Sequence, residues 1–573
     1  MVISNYFGMT TVESKRKGFI MFKAKEISPI ETINKIKNIL KICNITVKET
    51  WYESNIKNIF SVRIEIEGIN YGTNGKGSSR EYALASAYGE LMERIGNGAI
   101  FKMKERQLTN THFTYFPDEI TVDANHLDRI LKNNILFHAI KNIANNYELA
   151  YKKWRSLINS QNITCIQYQS EINKSKQLVP VNILKVYGSN GMSAGNTIEE
   201  AFVQAVSEVF ERFAIDKILN NGISPSIIPL DYIEQNFKDI YSIIKEIKSY
   251  KYLDVKLMDC SFNYGFPVVC VCVFNKKTHS DSISFGAHPI VEIAMERAIN
   301  EAFQGRSVSS ITNRVYERKR DNRYNRLSIL KNGMGYYPYS FYLNNSSCTF
   351  TPFNTSSFKN NAEMKQYIID LCKKNDIEIY THTISLYGFY VTHVIIPGMS
   401  EIIKYDEHQV KFEKMKKIIS RIPDFNSLSS IEYQTSLEFM DYTRKNPELW
   451  NNISKKPSNQ NTEEILLTTL FRGFMCLENY ERAAYYNELL KQYVDFDCYS
   501  GLVIVIDMKK QRFNNEFIKQ FLLYYYCEDT VNSIFHFLED FGFNPFYKEN
   551  FDKCTNPSWL NSVAKMKEGI ILV

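Results

Sequence analysis

The sequence predicts an α/β (α+β) domain built on three repeated turn–helix units, followed by an all-α C-terminal domain. Three observations carry this. A degenerate unit of a Gly-containing turn and a polar-striped helix occurs at 73–95, 189–213 and 284–306. Strand-like and helix-like periods alternate up to about residue 405, and beyond 461 only the helical period remains.

The segment at 26–46 carries Ile27, Ile30, Ile33, Ile36, Ile39 and Leu40 near a period of 3.6, and Pro29 is tolerated in a first turn. IFSVRIEIEGI (59–69) alternates like a half-buried strand and leads into TNGKGSSREYALASAYGELMERI, the first repeat. After a mixed stretch at 102–185, ending in strand-like VPVNILKVYG, comes the second repeat, SNGMSAGNTIEEAFVQAVSEVFERF. Its helix starts with Thr197 as N-cap and Glu200 three residues on, a capping box. A helical stretch to about 250, strand DVKLMDCSF, its hairpin partner FPVVCVCVF and ISFGA lead to the third repeat, SFGAHPIVEIAMERAINEAFQGR. A helix at 361–374 and two strands, EIYTHTISLY and FYVTHVIIPGM, close the domain at 1–405. Residues 406–460 form a connecting segment, with a polar, Pro-broken linker at 451–463. Residues 461–573 form helical, tetratricopeptide-like hairpins, the first bending around Glu478–Asn479.

The chain has 573 residues, 44% of them hydrophobic and 23% charged, as in an ordinary globular protein with room for more than one core. A net charge of +6 argues against a dedicated nucleic-acid binder; the basic run at 314–326 reads as a solvated face. Eleven cysteines without a C-x-x-C pair, no leader-like N-terminus and no bilayer-length apolar run lead to the expectation of a soluble, cytoplasmic protein.

The chemistry lies in the repeats. Each helix carries a polar triplet at i, i+4, i+7, and so on one face: Ser86, Glu90 and Glu93; Gln204, Glu208 and Glu211; Arg297, Glu301 and Gln304. An isolated acid pair is usually a solvated helix edge, but three copies behind Gly turns point to one shared site. Four carboxylates together repel and raise each other's pKa unless cations neutralise them. Oxygen ligands without His or Cys select Mg²⁺, which leaves coordination positions to substrate phosphates. Arg94, Arg212 and Arg297 suit phosphate oxygens, with salt bridges to the repeat acids as the alternative. Lys76, Ser193 and Asn196 sit in the turns, where helix N-termini add N–H donors. No Walker A sequence, kinase signature or G-x-G-x-x-G turn is present, so a nucleoside triphosphate site here needs an uncommon fold.

These three segments, in order and with VIIPGMSEI behind them, resemble the signature segments of the YcaO superfamily over roughly residues 20–405, and the helical tail resembles its stand-alone bacterial members. The resemblance implies an ATP-dependent enzyme: a nucleophile adds to a backbone amide of a protein or peptide, ATP phosphorylates the oxyanion, and phosphate leaves. It places Mg²⁺ on Glu90, Glu93, Glu208 and Glu211. It places nucleotide contacts on Lys25, Thr32, Lys76, Ser193, Asn196, Arg212, Arg297 and Glu301, the first two aligned through FKAKEISPIET, with Thr where the family usually has Ser. The end, KMKEGIILV, lacks the PxPxP tail of the family's peptide cyclodehydratases, which leaves the catalytic base unassigned. The implied context is β-methylthiolation of a small-subunit ribosomal protein as accessory to a radical-SAM methylthiotransferase, with a homodimer expected. Peptide thioamidation or azoline formation is one alternative, and a non-catalytic ATP-responsive scaffold is the other.

Overall fold

A computed structural model describes residues 25–98, 119–123, 133–156, 162–310, 323–406, 430–444, 462–539 and 562–573, apart from 69–70, 334, 343–348, 354–356, 404, 563–564 and 567 within them. Most of the basic run at 314–326 and of the linker at 451–463 lies outside these residues. The chain forms two compact units. The first comprises Met1–Tyr151, Ile158–Tyr405 and Phe551–Val573; the second comprises Lys152–Leu157 and Asp406–Asn550.

The first unit contains three sheets. β1 (Val47–Glu53), β2 (Phe60–Ile66) and β3 (Tyr71–Gly77) form an antiparallel meander. β4 (Ile120–Asp123), β5 (Asn162–Ser170), β6 (Lys176–Pro180) and β7 (Met192–Gly195) belong to a seven-stranded sheet. β8 (Ser226–Ile227), β9 (Leu253–Asp259), β10 (Val268–Asn275) and β11 (Ser280–Ala287) form a four-stranded sheet in the order β11-β10-β9-β8. β12 (Tyr380–Leu386), β13 (Phe389–Ile395) and β14 (Ile570–Leu572) complete the seven-stranded sheet, in the order β4-β5-β12-β13-β7 with β6 on β5 and β14 on β12.

Why β10 is apolar at both parities is plain from its place. Cys270 and Cys272 face the core shared with Phe210 and Phe266, while Val269, Val271 and Val273 face a second core with Met295 and Ile299. A strand covered on both faces loses the alternation of a half-buried one. The β12–β13 hairpin turns on Tyr387 (φ 49°) and Gly388 (φ 79°), the two left-handed positions that a tight hairpin requires.

Each repeat is a strand running into a helix, so the glycines expected in turns lie largely within strands. β3 leads to the first repeat helix, Arg80–Gly96; β7 to the second, Ile198–Asn221; β11 to the third, Val291–Ala302. The glycines let each helix lie against its own strand. A Cβ on Gly75 would sit 1.9 Å from the Ala83 carbonyl oxygen, and one on Gly286 2.4 Å from that of Ala294. Ser79 and Thr197 cap the first two helices by accepting the Tyr82 and Glu200 N–H groups; Ile290 stands at the third N-cap and has no such side chain. The N-terminal helix, Pro29–Ile42, begins with a Ser28–Glu31 capping box and packs Ile36 and Leu40 with Leu91 of the first repeat helix.

Three expectations differ from the structure. VPVNILKVYG is a strand only to Pro180; Val181–Val186 is a 3₁₀ helix, because Val181, Ile183 and Val186 turn into the core at its tighter spacing. The span 406–460, expected to be only a connector, holds the helix Ser430–Arg444, whose Leu437 and Met440 are buried with Leu470 in the second unit. The end of the chain leaves the helical domain: β14 pairs antiparallel with Ile384–Leu386 of β12, and Met566 is buried with Tyr88, Leu386 and Phe389. Tyr387 locks this return, its N–H donating to Gly569 O and its hydroxyl to Lys565 O.

The second unit is helical: Ser430–Arg444, Thr462–Cys476, Tyr480–Leu490, Phe496–Lys510, Asn515–Leu522 and Glu528–Glu539. Glu478 takes the left-handed conformation (φ 55°) and Asn479 caps the next helix, which sets the bend at that pair. Phe474, Tyr486, Leu502 and Ile534 share its core. Among the described residues no helix is long and apolar enough to cross a membrane.

Candidate active site

The polar stripes of the three repeat helices meet in a cavity of about 470 Å³. Every residue expected to bind nucleotide or metal lines it: Lys25, Thr32, Lys76, Glu90, Glu93, Ser193, Asn196, Glu208, Glu211, Arg212, Arg297 and Glu301. A helix rises about 1.5 Å per residue, so the second repeat helix spreads its stripe over about 16 Å from Glu200 to Glu211. The two ends of that stripe differ in chemistry.

At the far end stand the acids and their arginines. Arg94 reaches Glu90 and Glu93, each at 3.2 Å, and Arg212 lies 3.7 Å from Glu208. Burial pushes the Glu93 carboxyl well above the usual range, against the pull of Arg94 and with Glu208 and Glu90 adding to it. Burial likewise raises Glu208, opposed by Arg212 and Arg94. Among the described residues no three His, Cys, Asp or Glu side chains stand grouped as a finished metal site. Glu90, Glu93 and Glu208 are instead paired with guanidinium groups, which a cation at the carboxylates would displace. The donor set of four carboxylates, oxygen only and without His or Cys among them, fits Mg²⁺.

At the near end the partners are mostly uncharged, with one ion pair in which Glu200 is buried and Lys25 is partly exposed. Lys25 Nζ contacts Glu200 Oε1 at 2.8 Å, the Asn196 backbone N–H donates to Glu200 Oε2 at 3.0 Å, and the Asn196 amide donates to Thr32 Oγ1 at 3.0 Å. Between the ends, Arg297 donates to Gln204 Oε1 at 2.9 Å, and Lys76 pairs with Glu301. Burial pushes the Lys76 amine down to about 8, against the pull of Glu211. Ser193 Oγ, Asn196 Oδ1 and Arg212 Nε are buried with no partner among the described residues, and such atoms in a polar cavity await a ligand.

The sequence reading passed over two residues. Glu200 has the expected N3 position, its N–H bonded to Thr197, but its carboxylate turns to Asn196 and Lys25 rather than to the cap. His288 lines the cavity from the start of the third repeat helix and is buried. Aligning the repeats on Ala83, Ala201 and Ala294 puts His288 opposite Gly77 and Gly195, and that histidine in a glycine position was the available signal.

A cavity with two carboxylate pairs and arginines at one end and a largely uncharged corner at the other, on a tripled strand–helix unit, defines a nucleotide- and divalent-cation-binding protein. Residues 74–400 match the family model described as YcaO cyclodehydratase, ATP- and Mg²⁺-binding, and the chain belongs to the YcaO family, whose cofactors are ATP and Mg²⁺. The chain is 27% identical over 391 residues to the Escherichia coli ribosomal protein S12 methylthiotransferase accessory factor YcaO, covering 66% of either chain. It is 26% identical over 435 residues to an uncharacterized Haemophilus influenzae protein, covering 73% of each. Of solved structures, a heterocyclase in complex with substrate and cofactor superposes with a TM-score of 0.50 at 14% identity, over 68% of this chain and 55% of its own. YcaO from Methanopyrus kandleri bound with AMPPCP and Mg²⁺ gives 0.42 at 16% identity, over 67% of this chain and 93% of its own.

Proposed function

We propose that the protein uses Mg·ATP to phosphorylate a backbone amide of a protein or peptide, as accessory factor in the β-methylthiolation of a ribosomal protein. The observation that carries the chemistry is the pair of carboxylate pairs, Glu90/Glu93 and Glu208/Glu211, lining one cavity with Arg94, Arg212 and Arg297. The named role of the Escherichia coli relative supports the biological context.

In this reading the four carboxylates hold Mg²⁺, which neutralises the polyphosphate and screens the acids from one another. Arg212, Arg297 and Lys76 hold phosphate oxygens in a partly dried cavity, where charge pairing is stronger than in water. Lys25, Thr32, Ser193, Asn196 and Glu301 orient the nucleotide. The acceptor's carbonyl oxygen, made anionic by addition of a nucleophile, takes the terminal phosphoryl group; ADP leaves, and the phosphate departs from carbon with the C–O bond. Retaining four acids around a phosphate site serves catalysis rather than scaffolding.

The test is ATP turnover by the purified protein with ribosomal protein S12 and its methylthiotransferase as candidate partners, read with mass spectrometry of S12. Phosphate release that depends on that mixture, with a modified S12, supports the reading. Modified S12 without any ATP consumption would return the protein to a scaffolding role.

A further inference from the structure

The third repeat departs from the other two at its entry. Gly77 and Gly195 have no room for a side chain: a Cβ would meet the Ala83 and Ala201 amide nitrogens at 2.7 and 2.8 Å. The equivalent position in the third repeat carries an imidazole. There the N-cap residue, Ile290, offers no capping oxygen or nitrogen, and His288 Nδ1 accepts the Ile290 backbone N–H at 3.1 Å. An acceptor Nδ1 puts the ring proton on Nε2. No described residue pairs with Nε2, although the ring lines the cavity and is buried. An unpaired donor in such a place waits for an acceptor.

The surroundings select the acceptor. Burial, then the charges of Arg297 and Lys25, hold the His288 pKa well below its usual value, so the ring stays neutral. Lys25 belongs to the Glu200 corner, and Arg297 is bonded to Gln204, one turn along the same helix. The Lys25 charge acting on His288 puts it toward the Glu200 end of the stripe, and Glu200 itself lies roughly 12 Å along the helix from Glu208. With metal and phosphates at the acids, that length brings a nucleoside to His288. A neutral N–H matches a ring nitrogen or a sugar oxygen; a phosphate would favour an imidazolium.

We propose that His288, through Nε2–H, is a nucleoside-contacting residue of the site, tuned for the base or ribose and not for the polyphosphate. This rests on the nucleotide reading given above. Asn and Gln separate its two nitrogens, because the Asn amide reaches where Nδ1 lies and the Gln amide reaches where Nε2 lies. His288→Asn keeps an acceptor for Ile290 and removes the cavity donor; His288→Gln supplies a donor near the original position. Affinities for Mg·ATP and Mg·tripolyphosphate are measured on wild type and both variants, with melting curves to verify folding. His288→Asn is expected to bind Mg·ATP about five- to tenfold more weakly, the loss of one buried hydrogen bond, with tripolyphosphate unchanged and His288→Gln within about threefold of wild type. A folded His288→Asn protein that binds Mg·ATP as wild type does, or that loses tripolyphosphate in the same proportion, would overturn the assignment. Wild-type protein that binds tripolyphosphate but not ATP would instead sink the nucleotide reading itself.

Discussion

The first two repeats and the third share one backbone plan and divide the chemistry between them. In all three a strand enters a helix whose alanines sit close against it, and in all three the polar triplet faces the same cavity. The first two put paired carboxylates on that frame. The third replaces the second acid with Gln304, sets Arg297 before Glu301, and exchanges a glycine for His288. The frame is thus the constant feature within the chain, held by close backbone–helix contact that leaves no room for a Cβ at Gly75 or Gly286. The stripe is free to change because it faces a cavity and not a core.

That comparison can be broken at either level. The largest effect is expected from the stripe: Glu208→Gln or Glu211→Gln removes a metal ligand and should lower ATP turnover at least a hundredfold while the protein stays folded. Steady-state phosphate release beside a melting curve checks it, and normal turnover would return the acids to a structural role. The frame should answer in stability instead. Gly286→Ala forces a Cβ to within 2.4 Å of a helix carbonyl and should cost several kcal/mol, whereas Gly305→Ala, with nothing within 4 Å, pays only for its left-handed φ of 68°, about 1 kcal/mol. Denaturant midpoints of the two variants separate these costs.

A pH measurement sharpens the contrast at the third repeat. Glu296 is buried on that helix, outside the polar triplet, and burial raises its carboxyl to about 7. A raised acid holds its proton in the folded state after the unfolded chain has lost it. Its stabilising contribution is therefore full below about pH 4.3 and is lost as pH climbs to about 7, by about 3 kcal/mol in all. Glu296→Gln should flatten that part of the stability–pH curve; an unchanged slope between pH 5 and 7 would contradict the burial argument. A smaller effect, about 2 kcal/mol, is expected when Met566→Ala empties the place where the end of the chain enters the first unit's core. Urea unfolding of that unit checks it, and a neutral result would make the return of β14 energetically idle.

Much of this was legible because the signals were local. The strand and helix periods, Thr197 as an N-cap and the polar stripes follow from spacing, and the stripes brought the site with them. What escaped depended on distant partners. Glu200 obeys a capping pattern at its backbone, while its carboxylate answers to Lys25, 175 residues away. β14 is only three residues long, too short for a period, and its place comes from the free half of β12 beside the hairpin. The helix at Ser430–Arg444 is defined by neighbours such as Leu470 that bury its Leu437.

The central claim is that the three-repeat cavity is a Mg·ATP site that depends on its carboxylates. Thermal unfolding of wild type and Glu208→Gln, each with and without Mg·ATP, addresses it most directly. Nucleotide at a hundred times Kd should stabilise the wild type by about 2.7 kcal/mol and leave Glu208→Gln nearly unmoved. No shift of the wild type at millimolar Mg·ATP, or an equal shift of both proteins, would contradict the account.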